Sequence, residues 1–183
     1  PLPEGELRSK LTQFGSQVRL RYSELLTWHT YRMTGNAAVT GLFPFLRYVI
    51  ISDRLLSDLT ADQLCAVFGH EAGHIRHKHM SYMLAAMIAI MVILGWIADQ
   101  LLFYVPSDIP DWTADLVELV LIIVIAICGW LVFGIVSRNF ERQADVFGAE
   151  AAGADDIDRD GRLSAIGSAI MSSALNRLAF ING

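Results

Sequence analysis

Apolar and polar positions change rhythm several times along this chain, and each rhythm predicts a different element. In residues 4–16, charged positions alternate with Leu7, Leu11 and Phe14 at helical spacing and the pattern stops at Gly15, which predicts a surface helix. Residues 17–23 (Gln-Val-Arg-Leu-Arg-Tyr-Ser) alternate with period two, the mark of a half-buried strand, and Trp28 to Met33 reads as a second strand. A run of small residues between Gly35 and Gly41 follows, and then Arg47 to Ser52, β-branched and apolar, reads as a further strand. Together these predict a small antiparallel sheet. Residues 53–58 form a short connector containing the Leu55-Leu56 pair. Thr60 and Gln63 have the spacing of a capping box, opening a helix that should run to about His79 with Leu64, Val67, Phe68, Ala72 and Ile75 as its apolar stripe.

Beyond that helix the charges disappear. Tyr82 to Ala98 carries none, and apolar residues resume after Asp99-Gln100; a second run, Leu116 to Val136, contains only Glu118. A helix needs roughly 20 apolar residues to cross ~30 Å of hydrocarbon. Residues 80–104 and 116–136 are therefore expected to span a membrane, with 105–115 as the connection between them. Trp96, Tyr104 and Trp112 cluster around that connection, as interfacial aromatics do. The connection has acids and no bases, whereas Arg76 and Lys78 precede the first run and Arg138 and Arg142 follow the second. Basic flanks stay on the cytoplasmic side, which places the connection outside and the flanking residues inside. The reading is an integral membrane protein with a lipid bilayer as partner, in the inner membrane if the cell is bacterial. Two buried helices of a soluble core would be the bland alternative, but uncharged runs of this length are uncommon in soluble domains of this size. Residues 137–149 continue as a helix, 153–161 as an acidic loop, and 163–180 as a final amphipathic helix.

Composition adds limits. The 183 residues suit a single domain, 1–183, with a real core. Apolar residues make up 54% and the mean hydropathy is +0.43, with the excess concentrated after Met80. A net charge of −5 offers no basic surface for nucleic acid. Cys65 and Cys128 stand far apart, one in a helix and one in an apolar run, and read as packing residues rather than a disulfide. The chain begins Pro1-Leu2-Pro3, with neither methionine nor a charged-then-apolar leader, and reads as a piece of a longer protein.

The chemistry concentrates in His70-Glu71-Ala72-Gly73-His74. On a helix, two histidines at i and i+4 share one face and can converge on one metal ion; Glu71, rotated by about 100°, can reach a water there without being a ligand. The signature is that of two zinc ligands and a general base. A catalytic zinc takes three protein ligands and keeps one open position. An extended motif with a third histidine would need glycine at 77 and histidine at 80, where this chain has His77 and Met80. The best remaining donor is Glu141. Asp145, one turn further, could accept the free N–H of a liganding histidine. His77 and His79 read as interfacial charges beside Arg76 and Lys78. Residues 156–161 imitate the start of a calcium loop, but Gly167 stands where the bidentate glutamate belongs, so they read as a solvated acidic loop.

In this order, His70-Glu71-x-x-His74, two apolar runs and Ser137-Arg138-x-x-Glu141-x-x-x-Asp145 resemble the HtpX-type and CAAX prenyl endopeptidase family of integral-membrane zinc metallopeptidases. Asn36-Ala37 before Gly41, and Leu55-Leu56 before the active-site helix, match as well. The resemblance covers residues 17–180. It implies an α+β, zincin-like fold: a small sheet packed on the His-Glu helix, interrupted by a transmembrane hairpin. It also implies one Zn2+, held by His70, His74 and Glu141, with Asp145 behind the ligands and Glu71 as catalytic base. A polypeptide substrate would lie as an extended strand along Asn36 and Ala37. His29, His77 and Arg138 are the weak candidates for steadying the developing oxyanion. The reading is a membrane-embedded zinc metalloendopeptidase, with a lean toward membrane-protein quality control over processing of prenylated C-termini. The alternative from another class is a non-catalytic membrane regulator on the same fold.

Overall fold

The computed structural model describes residues 1–41, 43–105, 110–153 and 165–183. They divide into two compact units, one made of residues 1–77 with 141–183 and the other of 78–140.

The first unit opens with helix α1 (Glu6–Gln17), which buries Leu11 and Phe14. Arg19, in the left-handed conformation (φ 54), ends it, and Leu20 returns its N–H to the Gly15 carbonyl at 2.9 Å. The strand expected over 17–23 is therefore a helix terminus and a turn. The alternation of Val18, Leu20 and Tyr22 is real, since all three pack on the core, but it belongs to a cap rather than a pleat. The first strand, β1 (Glu24–Trp28), comes later and ends where a second had been expected to begin. Tyr31 and Arg32 both have positive φ (54 and 60), which no strand accommodates. The Asp53 carboxylate holds that loop by accepting from the Thr30 hydroxyl at 2.6 Å and the Thr30 N–H at 3.1 Å.

Strands β2 (Ala37–Thr40) and β3 (Tyr48–Ser52) form an antiparallel pair, and β1 lies on the other side of β3 in parallel register, giving the order β1-β3-β2. The sheet is mixed, not antiparallel as expected. The physical reason is that Val49, Ile50 and Ile51 make β3 the most apolar strand, so it takes the centre. Successive strands alternate in direction, so placing the third between the first two leaves the first and third parallel.

Residues 53–58, expected as a connector, form a helix, α2 (Asp53–Asp58), because the Ser52 hydroxyl accepts from the Leu55 N–H and caps it. Helix α3 (Ala61–Arg76) starts at the capping box read from sequence: Thr60 accepts from the Gln63 N–H, and the Gln63 side chain accepts from the Thr60 N–H. Leu64 and Phe68 of α3 are buried with Val49, Ile51 and Leu55, so the sheet and α3 share one core.

The second unit holds two helices long and apolar enough to cross a membrane. Helix α4 (His79–Phe103) matches the expected 80–104 run to one residue at each end. Helix α5 (Asp111–Ala152) is longer than the expected 116–136 run, because that run and the segment carrying Glu141 and Asp145 are one continuous helix. Gly129 of α5 packs within reach of Leu94 and Ile90 on α4. His79 is 4% exposed and stacks on Phe140 at 4.5 Å between ring centroids, so it is a packed ring and not one displayed at an interface. Helix α6 (Ala165–Asn182) closes the chain against α3, with Met171 and Ala174 buried. Residues 106–109 of the expected connection, the acidic loop from 154 on and the calcium-loop imitation at 156–161 lie outside the described residues.

Candidate metal centre

The site is built where α3 meets the last part of α5. That meeting is unusually close because small residues line it. A Cβ on Gly148 would stand 2.9 Å from both the Ala66 carbonyl oxygen and the His70 nitrogen; one on Gly69 would meet the Gly148 Cα at 3.0 Å, and one on Gly73 the Ala144 Cα at 3.2 Å. With the two backbones nearly touching, short carboxylate side chains on α5 reach the imidazoles on α3.

Three donor atoms converge there. His70, His74 and Glu141 each offer one ligand atom, all within 4.8 Å of one another. The two Nε2 atoms lie 3.1 Å apart, and Glu141 Oε2 is 3.5 Å from His70 Nε2 and 3.8 Å from His74 Nε2. A tetrahedral zinc with bonds of about 2.0–2.1 Å holds its donors about 3.3 Å apart. The observed separations bracket that value, so the residues fit such an ion in number, chemistry and spacing. His70 Nδ1 lies 2.8 Å from Asp145 Oδ1. An Nδ1–H donated to that carboxylate leaves the Nε2 lone pair turned to the other two donors, the tautomer a ligand needs. The histidines are half-buried and Glu141 is 55% exposed, so the centre opens on one side to solvent.

Glu71 sits beside these donors, and burial pushes its carboxyl above the usual carboxylate range. The neighbouring His70 and a hydrogen bond donated by the Val39 backbone N–H pull it down, and Glu141 pushes it up. The contact with Val39 was not legible in sequence, because a backbone group carries it. Its signal lies in strand parity. Ser52 donates its N–H to the Asn36 carbonyl at 2.9 Å, so residues 36, 38 and 40 bond inward to β3. Ala37 and Val39 therefore direct their N–H and C=O groups off the outer edge of the sheet, on the side where Glu71 lies. Of the two expected substrate-strand residues, Ala37 lies on that outward parity, while the Asn36 backbone bonds to Ser52 through both its carbonyl and its N–H.

Two of the three candidates for oxyanion support have neighbours of their own. His29 lines a separate shallow pocket with Pro1, Pro3 and Asp53, and His77 Nδ1 lies 3.3 Å from Gln143 Nε2.

The profile of Peptidase family M48 matches residues 1–176. A CAAX prenyl protease 1 homolog of Arabidopsis thaliana is 28% identical over 167 residues, covering 86% of this chain and 39% of its own length. A Protease HtpX homolog of Pyrococcus abyssi is 33% identical over 125 residues, covering 66% of this chain and 43% of its own. The crystal structure of S. mikatae Ste24p superposes with a TM-score of 0.65 at 17% identity, over 97% of this chain and 44% of that one, a likeness of fold. The chain thus spans about two fifths of the length of these proteins.

Proposed function

This chain belongs to Peptidase family M48, and from that premise we propose that it carries the catalytic centre of a membrane-embedded zinc metalloendopeptidase. The observation that carries the reading is the convergence of His70, His74 and Glu141 within 4.8 Å, with Asp145 behind His70. Zinc bound there supplies a Lewis acid that polarises the scissile carbonyl and acidifies a water. The rest falls to side chains and backbone. Glu71 accepts the proton of the attacking water on its carboxylate and passes it to the departing amine. A half-buried carboxyl held above its usual range suits both halves of that exchange. Asp145 holds His70 in one tautomer. The outer edge of β2, through the Ala37 N–H and the Ala37 and Val39 C=O groups, offers partners to an extended polypeptide.

Helices α4 and α5 support a protein embedded in a lipid bilayer, and the basic flanks at Arg76, Lys78, Arg138 and Arg142 support a site on its cytoplasmic side. The relatives' names include both a CAAX prenyl protease and HtpX proteases; our reading leans to the latter kind of substrate, unfolded polypeptide from the membrane.

The test is cleavage of unfolded casein by detergent-solubilised protein, with and without chelator. Zinc-dependent cleavage is expected, and Glu71→Gln should keep zinc while losing about 10²- to 10⁴-fold in rate. Zinc-loaded wild-type protein inert toward casein and toward a prenylated C-terminal peptide would favour a non-catalytic regulator. Faster cleavage of the prenylated peptide would move the assignment to processing.

A further inference from the structure

The described residues that follow β2, Gly41 and 43–47, are tied together by hydrogen bonds yet present apolar side chains to solvent. Gly41 turns it with φ +105, a conformation that favours glycine, and its Cα lies so close to the Leu46 carbonyl that a Cβ would overlap it. Pro44 opens a 3-10 turn over Pro44–Leu46, and Leu46 donates its N–H to the Phe43 carbonyl at 3.0 Å. The Arg47 guanidinium ties both sides of the loop down, donating to the Gly41 carbonyl at 3.3 Å and to the Arg21 carbonyl at 3.1 Å. On this frame the rings of Phe43 and Phe45 stack face to face, 5.7 Å apart at 15°. They are 57% and 72% exposed, and Leu46 beside them is 52% exposed. A contiguous apolar surface exposed in this way marks a contact site.

Its position says what the contact is. The loop continues the strand whose Val39 N–H meets Glu71. At roughly 3.3 Å per residue, Phe43 lies within about 13 Å of Val39 along the chain. For a polypeptide laid on the outer edge of β2 with its scissile bond at Glu71, that limit corresponds to no more than about four residues between the bond and Phe43. The cation nearest in sequence, Arg47, turns toward backbone carbonyls, which favours a peptide over an anionic lipid surface.

We propose that Phe43 and Phe45 form a specificity platform that takes an apolar side chain of the substrate, no more than about four residues from the cleaved bond. The proposal rests on the reading of β2 as the substrate strand. Both rings are exposed, so a Phe43→Ser/Phe45→Ser variant should fold, which an unchanged melting temperature and zinc content would verify. The assay walks a single leucine through an otherwise polar 12-residue peptide. Wild-type protein should prefer leucine at one position by about tenfold in kcat/KM, and the double variant should lose that preference and no other. Binding of the same peptides to zinc-loaded Glu71→Gln protein should show the same profile in Kd. If wild-type protein cleaves none of them, the peptidase reading fails, yet the Kd profile still decides the platform: a leucine preference lost in the double variant supports it, and a flat profile overturns it. Persistence of the preference in the double variant overturns it too. So does a bimane at Phe45→Cys that brominated acyl chains quench in liposomes while the double variant leaves cleavage unmoved, which would give the loop to lipid.

Discussion

Asp145 shows what a side chain one step removed from a metal can do. Its carboxylate touches His70 Nδ1 at 2.8 Å and makes no ligand contact of its own, so its effect on a bound ion passes through one imidazole. Asp145→Asn should lower zinc affinity about 10- to 100-fold by removing the charge behind the ligand, and Glu141→Ala should lower it further by removing a donor. Competition with a chromophoric chelator measures both; equal affinity in Asp145→Asn and wild-type protein would remove Asp145 from the site. A second residue-scale expectation concerns Cys65, whose thiol burial pushes up to about 11 from an ordinary value of 9.0. The raised value means that the folded protein keeps its proton where the unfolded chain has lost it. Its contribution to stability is therefore complete below pH 9 and declines as pH rises toward 11. At pH 8 the thiol should resist maleimide until the protein is unfolded, and mass spectrometry of labelled peptides checks this. His70, Glu71, His74, Glu141 and Asp145 could be singled out from sequence because side chains at i and i+4 leave a pattern. Val39 could not, since any residue but proline at that position would present the same N–H.

At the scale of elements, the centre depends on how near α5 comes to α3, and that is set by residues with no chemistry. Gly148→Ala places a methyl against backbone that cannot move aside, 2.9 Å from the Ala66 carbonyl and the His70 nitrogen. The helices must part by a few tenths of an ångström or more, which should cost about 1–3 kcal/mol of stability and draw Asp145 and Glu141 away from the histidines. Gly95→Ala, with open space around it, should leave zinc affinity unchanged. Thermal melts and zinc titration of the two variants give the comparison; equal zinc affinity in both would show that the seam does not position the donors. The same scale shows why the elements were unevenly legible. The start of α3 could be read because its capping box is local, and α4 because its composition allows nothing else. Of the strands, β3 could be read from its β-branched apolar run, but the first two expected ones could not: the alternation at Val18, Leu20 and Tyr22 reports burial, and burial with period two is produced as well by a helix terminus folded back on the core. Which strand takes the centre of the sheet is decided by competition among all three, which no single window contains.

For the whole molecule, the order of the chain poses a constraint. The unit bearing the site is assembled from residues on both sides of the apolar insertion, with His70 and His74 before it and Glu141 after it. If α4 and the apolar part of α5 cross a bilayer, they must return the chain to the side it left, because three donors within 4.8 Å cannot be divided by a membrane. An even number of crossings meets this condition, and two is the smallest. The charges then choose the side. Arg76 and Lys78 precede the insertion and Arg138 and Arg142 follow it, whereas the ionisable residues of the connection are acids, which is why we propose the site in the cytoplasm and the connection outside. On a background without Cys65 and Cys128, a cysteine at Pro110 should react with a membrane-impermeant maleimide added to intact cells, and one at Gln143 should react only after the membrane is opened. Labelling of both in intact cells would put them on one side and remove the crossing. Labelling of Gln143 alone, with Pro110 protected, would reverse the orientation while leaving the metal centre intact, since either orientation keeps its three donors on one side.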